Sequence, residues 1–116
     1  MADVRVDVGE VVVALTRLEK LAALHGDVRV PLPVVRAVDV VDDGPAAVRG
    51  LRAPGTAWPG GPKIGTWRRR GERTFAVARH GRPAVRLSLD DSGSAFTELV
   101  VTVDDAHAVA RLLAAR

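Results

Sequence analysis

The stretch that decides the fold is Leu99-Val100-Val101-Thr102-Val103-Asp104-Asp105-Ala106-His107-Ala108-Val109-Ala110-Arg111-Leu112-Leu113. Its first five side chains alternate between two faces, which is typical of a strand. Asp104 then stands where an N-cap is expected, and Asp105 adds a negative charge to the first helical turn. We therefore predict a strand that passes directly into a C-terminal helix packed on a sheet or closing a barrel. The predicted apolar stripe of that helix comprises Ala106, Val109, Leu112 and Leu113.

The composition indicates a small globular protein. The chain has 116 residues, is 47% hydrophobic and contains no cysteine. This length suits a single domain spanning residues 1–116. The lack of cysteine excludes disulfides, thiolate metal sites and thiol nucleophiles, and it fits a reducing compartment. No segment reaches the ~20 apolar residues of a membrane span, and residues 1–5 do not resemble a secretion signal. We therefore expect a cytoplasmic protein without a membrane span.

Two further strand pairs are predicted upstream of the terminal stretch. Residues 63–69 and 73–79 are expected to pair across Arg70-Gly71, and residues 73–79 and 83–89 across His80-Gly81, because glycine supplies the positive φ of a tight turn. Near residues 16–25 we predict a short helix. Thr16 and Glu19 have the spacing of a capping box there. One face of it is expected to carry Leu18, Leu21 and Leu24 together with Ala22, and Gly26 is expected to end it.

Residues 45–62 are rich in proline and glycine and predict a long surface loop. Loops of this length are uncommon in small domains unless they cover or bind something. Trp58 lies in this segment, either as an exposed anchor for a partner or folded back to seal the mouth of a barrel.

Four stretches resemble the small PH-like proteins of actinobacteria, whose fold is the pleckstrin-homology superfold. They are LEK at 18–20, HGDVRVPL at 25–32, GLRAPGT at 50–56 and LVVTVDD at 99–105. The resemblance implies an α+β, mainly β protein: an antiparallel PH-like barrel of about seven strands, capped by a C-terminal helix, with the short helix near residues 16–25. It implies no inositol-phosphate site, because the first hairpin lacks the clustered Lys and Arg of phosphoinositide-binding PH domains. It carries no activity with it, since these proteins are mostly uncharacterised.

The positive charge is concentrated in the middle of the chain. Residues 51–89 contain nine basic side chains and one acidic side chain, whereas the whole chain carries a net charge of +3. The cluster could hold phosphate or an acidic partner through guanidinium groups, or it could be a solvated hairpin that blocks edge pairing. Trp67 could stack on a neighbouring arginine by a cation–π contact. The candidate ligand- or partner-binding residues are Arg52, Trp58, Lys63, Trp67, Arg68, Arg69, Arg70 and Arg73.

No catalytic, cofactor or metal site is predicted. The three histidines lack partners at metal-ligand spacing, and the paired aspartates stand at turns and caps, where aspartate is expected. The leading hypothesis is a non-enzymatic binding or scaffolding module whose partner is a protein, a second copy of the chain or an anionic ligand. The alternative is electrostatic association of the 63–73 hairpin with an anionic membrane surface or a nucleic acid. The hairpin offers no series of aromatic side chains on which bases could stack, which argues against the nucleic acid.

Overall fold

The structure, a computed structural model, describes residues 2–57, 61–90 and 95–114, with the side chains of all of these except residues 52–54. Within these residues the elements follow one another as β1 (Asp3–Asp7), β2 (Glu10–Ala14), α1 (Arg17–Ala23), β3 (Val28–Pro31), a 3-10 turn (Leu32–Val34), β4 (Val35–Val41), α2 (Gly44–Ala47), β5 (Leu51–Ala57), β6 (Lys63–Arg69), β7 (Glu72–Ala78), β8 (Ala84–Leu89), β9 (Glu98–Thr102) and α3 (Ala106–Ala114). The protein is therefore mixed α+β with mostly strands, as predicted. No helix in the described part of the chain is long and apolar enough to cross a bilayer.

The strands form two sheets rather than the expected closed barrel. One sheet has three strands in the order β1-β2-β3, and the other has six in the order β4-β8-β9-β7-β6-β5. The predicted β6–β7 hairpin is confirmed, but the predicted pairing of β7 with β8 is wrong, because β9 lies between them and runs parallel to β7. Leu99, Val100 and Val101 are all fully buried. A strand that is apolar on both faces is stable only at the centre of a covered sheet, which explains the insertion.

The six-stranded sheet has an apolar layer on each face. Its main face carries Phe75, Val77 and Leu99, which pack together with β2 and β3 of the small sheet in one core cluster. The opposite face carries a smaller cluster of Ala76, Ala78, Ala84, Val100 and Trp67, covered by Val48. We call the first of these the core face and the second the back face.

Helix α1 begins at the predicted capping box. The Thr16 hydroxyl accepts from the Glu19 amide at 3.2 Å, and the Glu19 carboxylate accepts from the Thr16 amide at 2.9 Å. The leucines of the predicted face point outward, since Leu18 and Leu21 are exposed. The helix instead packs with Ala23 inward, since small side chains let its backbone approach the sheet closely. The predicted end at Gly26 is also wrong: Leu24 takes the left-handed conformation, with φ 52°.

Helix α3 lies against β4 and β8 of the large sheet and touches β1 of the small one. Leu113 is fully buried and Ala106 nearly so, as predicted, whereas Leu112 is 57% exposed. The capping residue is Asp105 rather than Asp104, because the Asp105 carboxylate accepts from the Ala108 amide at 3.0 Å. The C-terminal helix therefore closes one edge of the space between two sheets.

The segment predicted as a loop contains a strand. Residues 51–57 form β5 at one edge of the large sheet and pair with β6. Pro54 lacks an amide hydrogen, which is tolerated on an edge strand. The register is irregular between Arg52 and Gly55. The proline and glycine content thus marks an irregular edge strand here rather than an unpaired loop.

Candidate functional site

The basic residues of the β6–β7 hairpin do not form one patch. Arg68 lies opposite Arg73 in the strand register, and Arg69 lies opposite Glu72. Since side chains of successive residues alternate between the faces of a strand, Arg68 and Arg73 lie on the core face and Arg69 on the back face. Arg70 is exposed at the turn. The hairpin thus distributes its cations over two surfaces.

Three of the candidate residues make contacts within the fold. The Lys63 ammonium donates to the Val48 carbonyl at 2.8 Å. Trp67 is 4% exposed and packs in the back-face cluster, so its ring is not presented to solvent. Arg73 is half-buried and its guanidinium donates to the Ala95 carbonyl at 2.7 Å. The side chain of Arg52 and the whole of Trp58 lie outside what the structure describes.

A surface with large exposed apolar side chains lies beside the core-face cations. Helix α1 covers part of β5 and β6, and its outward leucines Leu18, Leu21 and Leu24 are 79%, 71% and 68% exposed. Leu51 of β5, opposite Arg68, is 79% exposed. We call these four residues the leucine surface. Several large apolar side chains exposed on one side of a small domain are a marker of an interaction site.

Helix α1 runs over the core face toward the cations of the β6–β7 hairpin. Glu19 in the first turn pairs with Arg79 at 2.9 Å, at one end of the core face. His25, just after the helix, lies over Phe75 in the middle of β7, with ring centroids 5.0 Å apart. The helix therefore runs toward the end of the sheet where Leu51, Arg68 and Arg73 lie.

Glu19 is the only carboxylate in the described part of the chain with almost no exposure, at 1%. Burial alone would raise the pKa of Glu19. The hydrogen bond from the Thr16 amide and the Arg79 guanidinium outweigh that effect and lower the pKa below its usual value. Its partners are Ala2 before β1, Thr16 at the start of α1 and Arg79 after β7, and together they hold the helix in place. Glu19 therefore supports the leucine surface without belonging to it.

A second candidate site lies on the back face, where a polar recess of about 200 Å³ opens beside the small back-face cluster. Three arginines and two glutamates contribute to it, from the segment after α2 and from four strands. Its lining residues are Ala47, Arg49, Arg69, Glu72, Thr74, Arg86 and Glu98.

The charges of the polar recess are unevenly compensated. The guanidinium of Arg86 binds Asp39 through two hydrogen bonds, of 2.6 and 3.1 Å. Glu98 accepts one hydrogen bond, from the Thr74 hydroxyl at 3.2 Å. Burial raises the pKa of Glu98, and the Thr74 bond and the charge of Arg86 offset this only in part. The recess therefore holds a carboxylate whose charge is poorly stabilised.

Gly50 separates the two candidate sites along the chain. Its φ is 105°, and a Cβ atom at this position would clash with the carbonyl of Arg68. Only glycine lets the chain pass so close to β6. Arg49 is thereby placed over the back face, and Leu51 enters β5 on the core face.

Comparisons with protein families, with curated proteins and with solved structures found no match for this chain. The family resemblance therefore stays a prediction. In the described residues no group of three or more His, Asp or Glu side chains is placed to hold a metal ion.

Sequence reasoning missed both the leucine surface and most of the recess. The leucines of α1 repeat at helical spacing, which normally indicates a buried face. Their exposure could therefore not be predicted from the sequence. Arg86 and Glu98 do interrupt apolar strands at alternating positions, which is a signal for a shared polar face. Using it requires knowing that β8 and β9 are neighbours in the sheet and which of their residues lie opposite each other.

Proposed function

We propose that this chain is a non-enzymatic binding module that holds an acidic, amphipathic segment of a partner protein on its leucine surface. The observation that carries the proposal is the exposure of four leucines, at 68% to 79%, beside cationic side chains. The predicted class of function, a binding or scaffolding module in the manner of the PH-like proteins it resembles, is kept, but its working surface is α1 with β5 rather than the hairpin alone.

The apolar part of the surface supplies the affinity. Burying one leucine side chain contributes about 1.5–3 kcal/mol relative to leaving it in water. Leu18 and Leu21 are one turn apart on the same side of α1, and Leu24 follows at the next turn. A partner helix with leucine or valine every three or four residues would cover such a ridge along its length.

The charges around the leucines favour an acidic partner. Arg17 and Lys20 are exposed on α1, and Arg68 is exposed beside Leu51. Lys20 has a weak partner in Asp27, at 3.7 Å with both side chains solvated, while Arg17 and Arg68 have no ion-pair partner among the described residues. Carboxylates on a partner would pair with these cations and speed its association.

The test uses two fluorescent peptides of about four helical turns. One places leucines along one face and glutamates on the other, and the second has the same composition in scrambled order. We expect the first peptide to bind the wild-type protein more tightly, as measured by fluorescence anisotropy. The double variant L18Q/L21Q should lose this preference, and R68Q should weaken binding more at low salt than at high salt. L112Q, which changes an exposed leucine on α3, is the matched control and should bind normally.

Three outcomes would overturn the proposal. Equal binding of both peptides would show that charge alone is recognised. Stronger binding to vesicles of phosphatidylserine and phosphatidylcholine, abolished by L18Q/L21Q, would assign the surface to an anionic membrane. A dimer in sedimentation equilibrium that L18Q/L21Q dissociates would assign it to a second copy of the chain.

A further inference from the structure

The polar recess lies on the back face of the large sheet, and its chemistry is independent of the leucine surface. At about 200 Å³ it is smaller than the roughly 300–1,000 Å³ of pockets that hold drug-sized ligands and cofactors. Its lining is mostly polar, so its occupant is a small polar molecule rather than an extended apolar one.

Two cations of the recess are available to a ligand. Arg49 comes from the segment after α2 and Arg69 from the end of β6, and neither has a hydrogen-bond or ion-pair partner among the residues that the structure describes. Arg86 differs from both, because Asp39 already neutralises it through a two-bond contact. Guanidinium groups without a partner are the usual protein ligands of an oxyanion.

Two carboxylates, Glu72 and Glu98, also line the recess. Glu98 accepts only the Thr74 hydroxyl bond and makes no ion pair with a described residue, and burial raises its pKa although the nearby charge of Arg86 offsets this in part. Glu72 lies opposite Arg69 in the register, so these two can compensate each other across the strands. Arg49 and Glu98 have no such register partner and are the two groups that a ligand would satisfy.

We propose that the polar recess binds a small zwitterion, such as an α-amino acid, with Arg49 pairing with its carboxylate and Glu98 with its ammonium group. A simple anion would bring its charge toward Glu72 and Glu98, and a simple cation would bring its charge toward Arg49 and Arg69. Each therefore meets repulsion that a molecule carrying both charges avoids. The short distance between opposite charges in an α-amino acid suits a recess of this size.

The experiment measures amide chemical shifts of the full-length, ¹⁵N-labelled protein during titration with three probes. L-Alanine carries both charges, whereas acetate and methylammonium carry one each. We expect saturable shifts with L-alanine at the amides of residues 49, 74 and 98, and at least about tenfold weaker binding of the two single-charge probes, since each lost ion pair is worth of order one factor of ten.

Variants identify the groups responsible. R49Q and E98Q should each weaken L-alanine binding about tenfold or more, and R111Q on α3 serves as the matched control that leaves binding unchanged. The dispersed amide spectrum of each variant shows whether it is folded, and binding is compared only between folded proteins. R69Q leaves Arg49 and Glu98 in place and should keep most of the binding, because Arg69 already lies opposite Glu72. E98Q tests the proposal on its own if R49Q does not fold.

The proposal fails if acetate or inorganic phosphate binds as tightly as L-alanine, because the recess would then be a simple anion site. It also fails if E98Q binds L-alanine like the wild type, or if no probe gives a saturable shift. None of these results bears on the leucine surface, whose test uses different variants and peptides.

Discussion

Helix α3 packs its large apolar side chain Leu113 into the core, whereas helix α1 turns Leu18 and Leu21 to solvent and packs alanines and a glutamate inward. The two helices have similar lengths, of nine and seven residues. What differs is the space beneath them. The α3 helix covers a gap between two sheets, which has room for a leucine, while α1 lies directly on the sheet surface.

The polar contacts of Glu19 orient helix α1 against its apolar pattern. The Glu19 carboxylate binds Arg79 and also accepts from the Ala2 amide at 3.2 Å. Facing the leucines inward would leave the Arg79 charge and the Ala2 amide without these bonds, and it would not fit the close helix–sheet approach. Arranged in this way, α1 presents an exposed ridge of leucines, and α3 fills part of the core with Leu113.

The largest expected effect is at α3. Leu113→Ala removes a fully buried side chain and should lower the free energy of unfolding by about 2–5 kcal/mol, because it leaves a cavity between the sheets. Urea denaturation measures this. Leu112→Ala on the same helix, and Leu21→Ala on α1, should each change stability by less than about 0.5 kcal/mol. A large loss for Leu21→Ala would contradict the outward orientation of α1.

A smaller loss is expected at the polar anchor of α1. Glu19→Ala removes the capping bond and the ion pair with Arg79, and it should cost about 2 kcal/mol in the same measurement. The matched control is Glu10→Ala. Its ion pair with Arg29 is 3.6 Å long and solvated, so the loss should stay below about 0.5 kcal/mol. Equal losses at both sites would show that Glu19 does not anchor the helix.

The anchor also predicts a pH dependence. The pKa of Glu19 is lower in the folded protein than its ordinary value of 4.5. Its stabilising contribution is therefore fully present above that value and is lost as the pH falls through the folded pKa. The melting temperature of the wild type should fall more steeply on acidification below pH 4.5 than that of Glu19→Gln. The glutamine keeps the capping geometry but carries no charge. Parallel profiles would contradict this role.

The smallest effect is expected at the end of α1. Leu24 adopts a left-handed conformation that costs a non-glycine residue roughly 1 kcal/mol, and its side chain is 68% exposed. Leu24→Gly should therefore raise the free energy of unfolding by about 0.5–1 kcal/mol, while it weakens binding of the leucine-faced peptide. If Leu24→Gly destabilises the protein, the leucine makes a packing contribution at this position.

Local structure was largely predictable. The capping box of α1, the β6–β7 hairpin, and the β9 strand followed by α3 all depend on residues close together in the chain, and each was found where it was predicted. The prediction of β5 as a loop failed because proline and glycine mark irregular backbone, and an edge strand tolerates both. The end of α1 and the N-cap of α3 were each identified to within two residues, because Leu24 takes the left-handed conformation expected of Gly26 and Asp105 caps α3 in place of its neighbour Asp104.

The candidate sites were less predictable because they depend on distant residues. Arg79 follows Glu19 by 60 positions, and no residue near Glu19 in the sequence indicates that its carboxylate will be buried. The arginines of residues 63–73 suggested one basic surface, but strand alternation divides them between two faces. Glu98 joins Arg49 only because α2 and the segment after it cross the back face.

The amino-acid sequence by itself determined most of the strands and helices, with β5 as an exception, since that choice follows from side-chain periodicity, caps and turns within a few residues. The tertiary structure alone decided that β9 separates β7 from β8, that α1 shows its leucines to solvent, and that the charges of four strands meet in one recess. Each of these outcomes depends on contacts between residues that are remote in the sequence, such as the ion pair of Glu19 with Arg79. Such contacts cannot be found in any short stretch of the chain.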